Sequence, residues 1–344
     1  MDSSEYIKKR IQSLTEDSEE IRDISPITND FDSWSALKLI LHSAAVNMYT
    51  DVLQSNDYFE NLYYIDALAG SGVSTYDEAT SCFLGSPIIA AKVAQDPFEK
   101  MYLIEHDDDK ADALESRMRF IFSEYDDVQE PEEWEVIRGD ANKKIPEVVD
   151  DILSRRNEGG FNYYCFIDNQ ELNVKWDAID ALTPEPWGDL LINLPTASAI
   201  GRNATTKPVP EELNEFYCMD LNEQQLPNQD IRPVMKRLYR DCLDQNGRPV
   251  QRLTNVDANV GSYEYDLIYA TRNIDGGNGY IKVIDYVKRF IEDVHAGDVD
   301  NILSVLYDGQ RSFERYLPQE DIDDEIPQDD EPDDENQSSL EEYW

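Results

Sequence analysis

The chain has 344 residues, 40% of them hydrophobic, and its 73 acidic against 30 basic residues give a formal net charge of −43. That length holds one large domain or two modest ones, with apolar content for a sizeable core. No apolar run approaches ~20 residues and no leader-like segment opens the chain, which excludes a spanning helix and predicts a soluble, cytoplasmic protein.

Residues 1–33 read as a polar N-terminal segment with one helical stretch near 5–14. Ser33 or Ser35 then caps a helix whose apolar residues Leu37, Ile40, Leu41, Ala44, Ala45, Met48 and Val52 share one face. From there apolar β-type runs (62–65, 101–104, 134–137, 163–167, 190–194) alternate with helical stretches (87–94, 109–123, 145–155, 176–182). Short apolar strands alternating with helices predict a parallel sheet covered on both faces. A helix over 230–244 follows and ends at Asn246-Gly247. Two β-type runs, 250–256 and 262–271, joined through Asn259-Val260-Gly261, read as an antiparallel hairpin. The fold class predicted is α/β: a Rossmann-like, doubly wound, mostly parallel sheet over 34–275 with a C-terminal antiparallel hairpin, the class I methyltransferase type. The same order of elements also fits other doubly wound folds. Residues 276–318 form a helical segment, and 319–344, with 13 acidic residues and no Lys or Arg, are predicted to be a disordered tail.

Without that tail, 60 acidic still face 30 basic residues over the first 318. Self-repulsion spread in this way opposes a compact state at ordinary ionic strength. Molar salt shortens the Debye length to ~3 Å and screens it. The composition therefore predicts a halophilic protein, and in such a protein the missing basic stripe says little about nucleic-acid binding. The four cysteines, Cys82, Cys165, Cys218 and Cys242, are far apart and form no CxxC, which argues against a zinc site and against a disulfide framework. His42, His106 and His295 have no metal-ligand spacing, so no metal is expected.

Four strand ends carry candidate chemistry. The first is Tyr63-Tyr64-Ile65-Asp66-Ala67-Leu68-Ala69-Gly70-Ser71-Gly72, a strand running into a glycine loop. Gly70 and Gly72 allow positive φ and close approach of a ligand, and loop amides can hold an anion such as the methionyl carboxylate of S-adenosylmethionine. Asp66 is placed to accept from that cofactor's ammonium. A third glycine, which a dinucleotide site needs at Thr75, is missing. The twelve residues between Gly72 and Gly85-Ser86-Pro87, a helix opening, form an insertion able to cover the cofactor. Second, Glu105 ends its strand where a carboxylate takes two ribose hydroxyls. Third, Asp140, after Gly139, is placed to accept from an adenine amino group. Fourth, Asp168 stands where an acceptor is oriented or deprotonated. Asn193, in Asn193-Leu194-Pro195-Thr196, shares two of four positions with the Asn-Pro-Pro-Tyr motif of amino-group methyltransferases.

Taken together, these segments resemble the three-Cys-motif partner (TcmP) family, haloarchaeal type. The likeness runs over residues 34–205 and more loosely to 290, through Trp34-Ser35-Ala36-Leu37-Lys38, the glycine loop, Gly85-Ser86-Pro87, Ile104-Glu105, Gly139-Asp140-Ala141-Asn142, Phe166-Ile167-Asp168 and Asp189-Leu190-Leu191-Ile192-Asn193-Leu194-Pro195-Thr196. The resemblance implies a methyltransferase-like fold, S-adenosylmethionine as cofactor, and a partner that carries three cysteines and is radical-SAM-like or phage-derived. It also matches Arg202-Asn203, with Arg202 a candidate for an anionic substrate. The family's Asp-Pro-x-Gly is here Asp168-Asn169-Gln170-Glu171, and its Phe is Leu68. Two functions follow: a S-adenosylmethionine-dependent methyltransferase whose acceptor is open, or a non-catalytic Rossmann-type partner associated with nucleic acid. A nucleic-acid contact would rest on 281–318 with Arg289, Arg311 and Arg315.

Overall fold

Apolar residues at period two in strands and near 3.6 in helices set the elements of this computed structural model. It describes residues 2–30, 32–54, 59–76, 81–155, 160–183, 187–221, 231–257, 264–274, 278–294 and 296–313. The tail predicted for 319–344 and the Asn259-Val260-Gly261 connection lie outside the described residues. The chain opens with helices α1 (Ser3–Thr15) and α2 (Ser18–Arg22), then a short strand β1 (Asn29–Asp30) and α3 (Ser35–Gln54). Next come β2 (Phe59–Asp66), β3 (Val73–Tyr76), β4 (Ser81–Leu84), α4 (Ser86–Val93), β5 (Lys100–Glu105), α5 (Asp108–Glu124), β6 (Glu133–Arg138) and α6 (Ala141–Ser154). The second half holds β7 (Gly160–Asp168), α7 (Trp176–Ala181), β8 (Asp189–Leu194), a π-helical turn (Thr196–Ile200), α8 (Gly201–Ala204), α9 (Glu211–Glu215), α10 (Arg232–Gln245), β9 (Val250–Asp257), β10 (Glu264–Thr271), α11 (Lys282–Glu292) and α12 (Ala296–Phe313).

Seven strands form the main sheet in the order β6-β5-β2-β7-β8-β10-β9. The first five are parallel, and β10 enters antiparallel between β8 and β9. This is the Rossmann-like sheet of the methyltransferase type expected from the order of elements. Alternation along each strand divides the core in two. Tyr64, Tyr164, Phe166, Leu191 and Tyr269 pack toward α1, α3, α4, α5 and α11. Tyr63, Ile65, Cys165, Ile167, Ile192 and Ile268 pack toward α6, α7 and α10. The interior strands are therefore buried on both faces, as parallel sheets require, while the edge strand β6 stays exposed or half-buried along its length.

The N-terminal helices join this packing: Tyr6, Ile7, Ile11, Leu14 and Ile21 are buried in the same core as α3 and α11. The insertion after Gly72 forms an antiparallel pair, β3 with β4, and β1 adds to β3 in parallel to make a second, three-stranded sheet. One expectation is overturned. Cys218 and Cys242, 24 residues apart in sequence, form a disulfide with Cα atoms 5.7 Å apart. Their spacing gave no framework because the pairing depends on where α10 packs after α9, not on a local motif. Cys82 and Cys165 are buried and free. Among the described residues, no helix is long and apolar enough to cross a membrane.

Candidate functional site

The strand order reverses between β2 and β7, and ligands of open α/β sheets bind outside the strand ends at such a switch. There β2 runs into the glycine loop. Gly70 and Gly72 have φ of +65° and +83°, the left-handed region that a side chain disfavours. The loop hangs from its neighbours: Ala67 donates its amide to Phe166 O (3.0 Å) and Ala69 to Ile104 O (2.8 Å). Gly85 donates to Gly72 O at 2.7 Å. A Cβ on Gly85 would lie 2.8 Å from the Gly72 carbonyl, so the start of α4 is pressed against the loop.

A cleft of about 280 Å³ opens at this point, with Asn29, Lys38, Gly70, Ser86, Glu105 and Asp168 in its walls. Ser74 brings in the β3–β4 insertion, and Gln170 and Asn173 the loop after β7. The carboxylates Asp30, Glu105 and Asp168 outnumber the ammonium groups Lys38 and Lys110, which favours a ligand bearing positive charge or hydroxyl donors.

Three residues expected at the site, Gly70, Glu105 and Asp168, line the cleft. Glu105 has both oxygens engaged, Oε2 accepting from the Gly70 amide and Oε1 from the Asp107 amide, each at 2.8 Å. Asp168 meets the Lys38 ammonium at 2.6 Å through Oδ2 and accepts from Asn193 Nδ2 at 2.9 Å through Oδ1. Asn193 also donates to Asn169 O. It is buried and holds the end of β7 without lining the cleft.

The other expected residues sit elsewhere. Asp66 is fully buried beneath the loop. It accepts from Tyr64 OH (2.8 Å) and the Leu68 amide (3.3 Å), and Ser86 bonds it as well. Burial pushes its carboxyl up to about 7. Asp66 shares the face of Tyr64, which α3 covers, so it supports the loop and does not face the cleft as the sequence suggested. Gly72 is likewise covered: a Cβ there would reach Leu114 and Ile88. Asp140 caps α6, its Oδ1 accepting from the backbone and side-chain amides of Asn142 at 3.0 Å each, and it is not among the cleft-lining groups. Arg202 is an exposed side chain paired with Glu171 at 2.8 Å. Arg289 lies over the rings of Tyr286 and Phe290, while the side chains of Arg311 and Arg315 lie outside the described residues.

Sequence reasoning missed Asn29 and Lys38. Asn29 accepts from the Ser71 amide at 3.2 Å, and its side chain lies where a Cβ on Gly70 would point. Lys38 stands in a motif noted in the sequence without a role. His42 was also missed. Its ring stacks on Phe166 with centroids 4.3 Å apart, and it bonds Tyr164 OH and Ser86 O. Burial lowers its pKa to about 4, so it is neutral at physiological pH. No described group of three or more His, Cys, Asp or Glu side chains is arranged to hold a metal.

No protein-family model matches the sequence, and no curated protein is significantly similar to it. Several solved structures show a low similarity to the chain. Protein LPL1258 from Legionella pneumophila is 11% identical with a TM-score of 0.45, over 74% of this chain and 92% of that one. Trm1 from Pyrococcus horikoshii, in complex with S-adenosyl-L-methionine, is 13% identical with a TM-score of 0.39, over 81% of this chain and 60% of that one. A putative O-methyltransferase from Klebsiella pneumoniae is 10% identical with a TM-score of 0.35, over 76% and 99% respectively.

Proposed function

We propose that the chain binds S-adenosylmethionine in this cleft and acts as a methyltransferase alongside a three-cysteine-motif partner. The observation that carries the reading is convergence: Gly70, Glu105 and Asp168, from the ends of three different strands, line one acidic cleft at the switch point. The donor set fits a sulfonium-bearing nucleoside. Carboxylates suit a cation and ribose hydroxyls, and Asp140 at the next strand end is the candidate for the adenine amino group. The bound cofactor would supply an electrophilic methyl group. Glu105 would take the ribose, exchanging its bond to the Gly70 amide. Asp168, aimed by Asn193, would orient the acceptor and take a proton from it. The test is calorimetry with S-adenosylhomocysteine in molar KCl. Heat of binding and a raised melting temperature are expected; a folded protein showing neither sinks the reading.

A second reading is a non-catalytic Rossmann-type partner that binds cofactor weakly or not at all. What favours it is that the Gly70 and Ser71 amides already serve Glu105 and Asn29, and that the loop after Asp168 lacks the proline and glycine of the family it resembles. Copurification with its partner, free of cofactor and without methyl transfer, supports this alternative; measurable turnover excludes it. Nucleic acid, protein and small molecule all stand as candidate acceptors.

A further inference from the structure

Loop amides are the usual expectation for the acidic end of an amino-acid-bearing ligand, yet here two of them are taken. Gly70 N–H donates to Glu105 Oε2 and Ser71 N–H to Asn29 Oδ1. The cations lining the cleft are Lys38 and Lys110. Lys110 rises from the first turn of α5, on the Glu105 side of the site. Lys38 reaches in from α3 with its side chain 10% exposed and touches Asp168. An ammonium carries three donors, and the structure shows Asp168 as an acceptor for one of them.

We propose that Lys38 anchors the carboxylate of the cofactor's amino-acid end and bridges it to Asp168. This deepens the methyltransferase reading and rests on it. Lys38 then couples the two halves of the site, because the same ammonium that holds the cofactor tail also faces the carboxylate assigned to the acceptor. Asp168 keeps its second support from Asn193 Nδ2, so sharing Lys38 does not release it. The anchor belongs to α3, packed in the core, and so is held on a rigid element.

The experiment compares two probes by calorimetry in molar KCl: S-adenosylhomocysteine, which has the amino-acid tail, and methylthioadenosine, which lacks it. Lys38→Met is expected to weaken S-adenosylhomocysteine by at least about tenfold, the value of a charge-assisted hydrogen bond, and to leave methylthioadenosine unchanged. The double variant Lys38→Met/Asp168→Asn also removes the carboxylate that the single change leaves unpaired, which guards against loss of the fold; checked as folded by its melting curve, it should show the same selective loss. Equal loss of both probes, or of neither, overturns the anchoring role while the cofactor reading stands. Wild-type protein that binds neither probe overturns both.

Discussion

Asp66 and His42 belong to one buried chain of hydrogen bonds under the glycine loop. Tyr64 OH donates to Asp66 and lies 3.4 Å from His42 Nε2, while His42 Nδ1 faces Tyr164 OH. Their titrations oppose each other. Asp66 is raised from 3.8 to about 7. Between those values the folded state keeps a proton that the unfolded state releases, so stability falls as pH rises through the window. His42 is lowered from 6.5 to about 4; there the unfolded state takes a proton that the folded state refuses, so stability falls as pH drops. Over the shared window the two slopes offset each other, each at most about 1.4 kcal/mol per pH unit. Asp66→Asn removes one of them. Chemical denaturation at fixed salt should show this variant gaining on the wild type steadily from pH 4 to pH 7. A difference that stays constant with pH would mean that Asp66 is ionised throughout. At the loop itself, Gly85→Ala places a methyl 2.8 Å from the Gly72 backbone, which cannot swing away as a side chain can. A loss of about 1–3 kcal/mol is expected from such overpacking, together with weakened S-adenosylhomocysteine binding. An unchanged melting temperature would show that the loop yields.

Between elements, one buried side chain does the joining. Arg117 of α5 is fully buried, and among the described residues it has no carboxylate partner. It donates Nε to Ile21 O, Nη1 to Ser71 O and Nη2 to the carbonyls of Arg22 and Ser25. The glycine loop is thereby tied to the segment after α2 that leads to Asn29. Arg117→Met keeps the apolar stem and takes a donor from four carbonyls: Ile21 O and Arg22 O keep backbone amide donors, whereas Ser71 O and Ser25 O lose the guanidinium that serves them, at about 1–3 kcal/mol each where water cannot reach. Denaturation should show a loss of several kcal/mol, and limited proteolysis should cut near residues 22–28 sooner than in the wild type. Wild-type resistance to cleavage would show the link to be dispensable. Arg117 was invisible in the sequence, because a helix pattern does not say which carbonyls, 46 to 96 residues away, a guanidinium will meet. The seven main-sheet strands were legible, five of them as largely apolar runs and β6 (EWEVIR) and β9 (VQRLTNVD) as β-type residues spaced among polar ones. The two- to four-residue strands β1, β3 and β4 were not, as segments that short have no period to read. Position at a strand end was legible for Glu105 and Asp168, which reach the cleft. For Asp66 the period-two alternation already placed it with Tyr64 on the α3 face, a signal that attention to the glycine loop alone passed over.

Across the whole molecule, charge is distributed unevenly between attraction and repulsion. The few cations are shared: Lys100 meets Glu133, Glu135 and Asp151, and Arg138 meets Asp112 and Glu115. Lys100 is itself buried, but its partners are half-exposed; the exposed Arg138 contacts are each worth about 0–1 kcal/mol and weaken with salt. The repulsion among the remaining acids is long-ranged, and raising the salt from about 0.1 M to 1 M cuts the Debye length from ~10 Å to ~3 Å. Screening should therefore remove more repulsion than attraction, and the melting temperature should climb as KCl is raised into the molar range. The tail holds 13 of the 73 acids and none of the 30 basic residues, so cutting the chain after residue 318 leaves most of the imbalance in place. The truncated protein is expected to keep the larger part of the salt dependence, because the repulsion that opposes folding lies among charges the fold brings together. Melting curves of both proteins over one KCl series decide it. A flat response after truncation would assign the salt effect to the tail and withdraw the case for a salt-adapted folded domain.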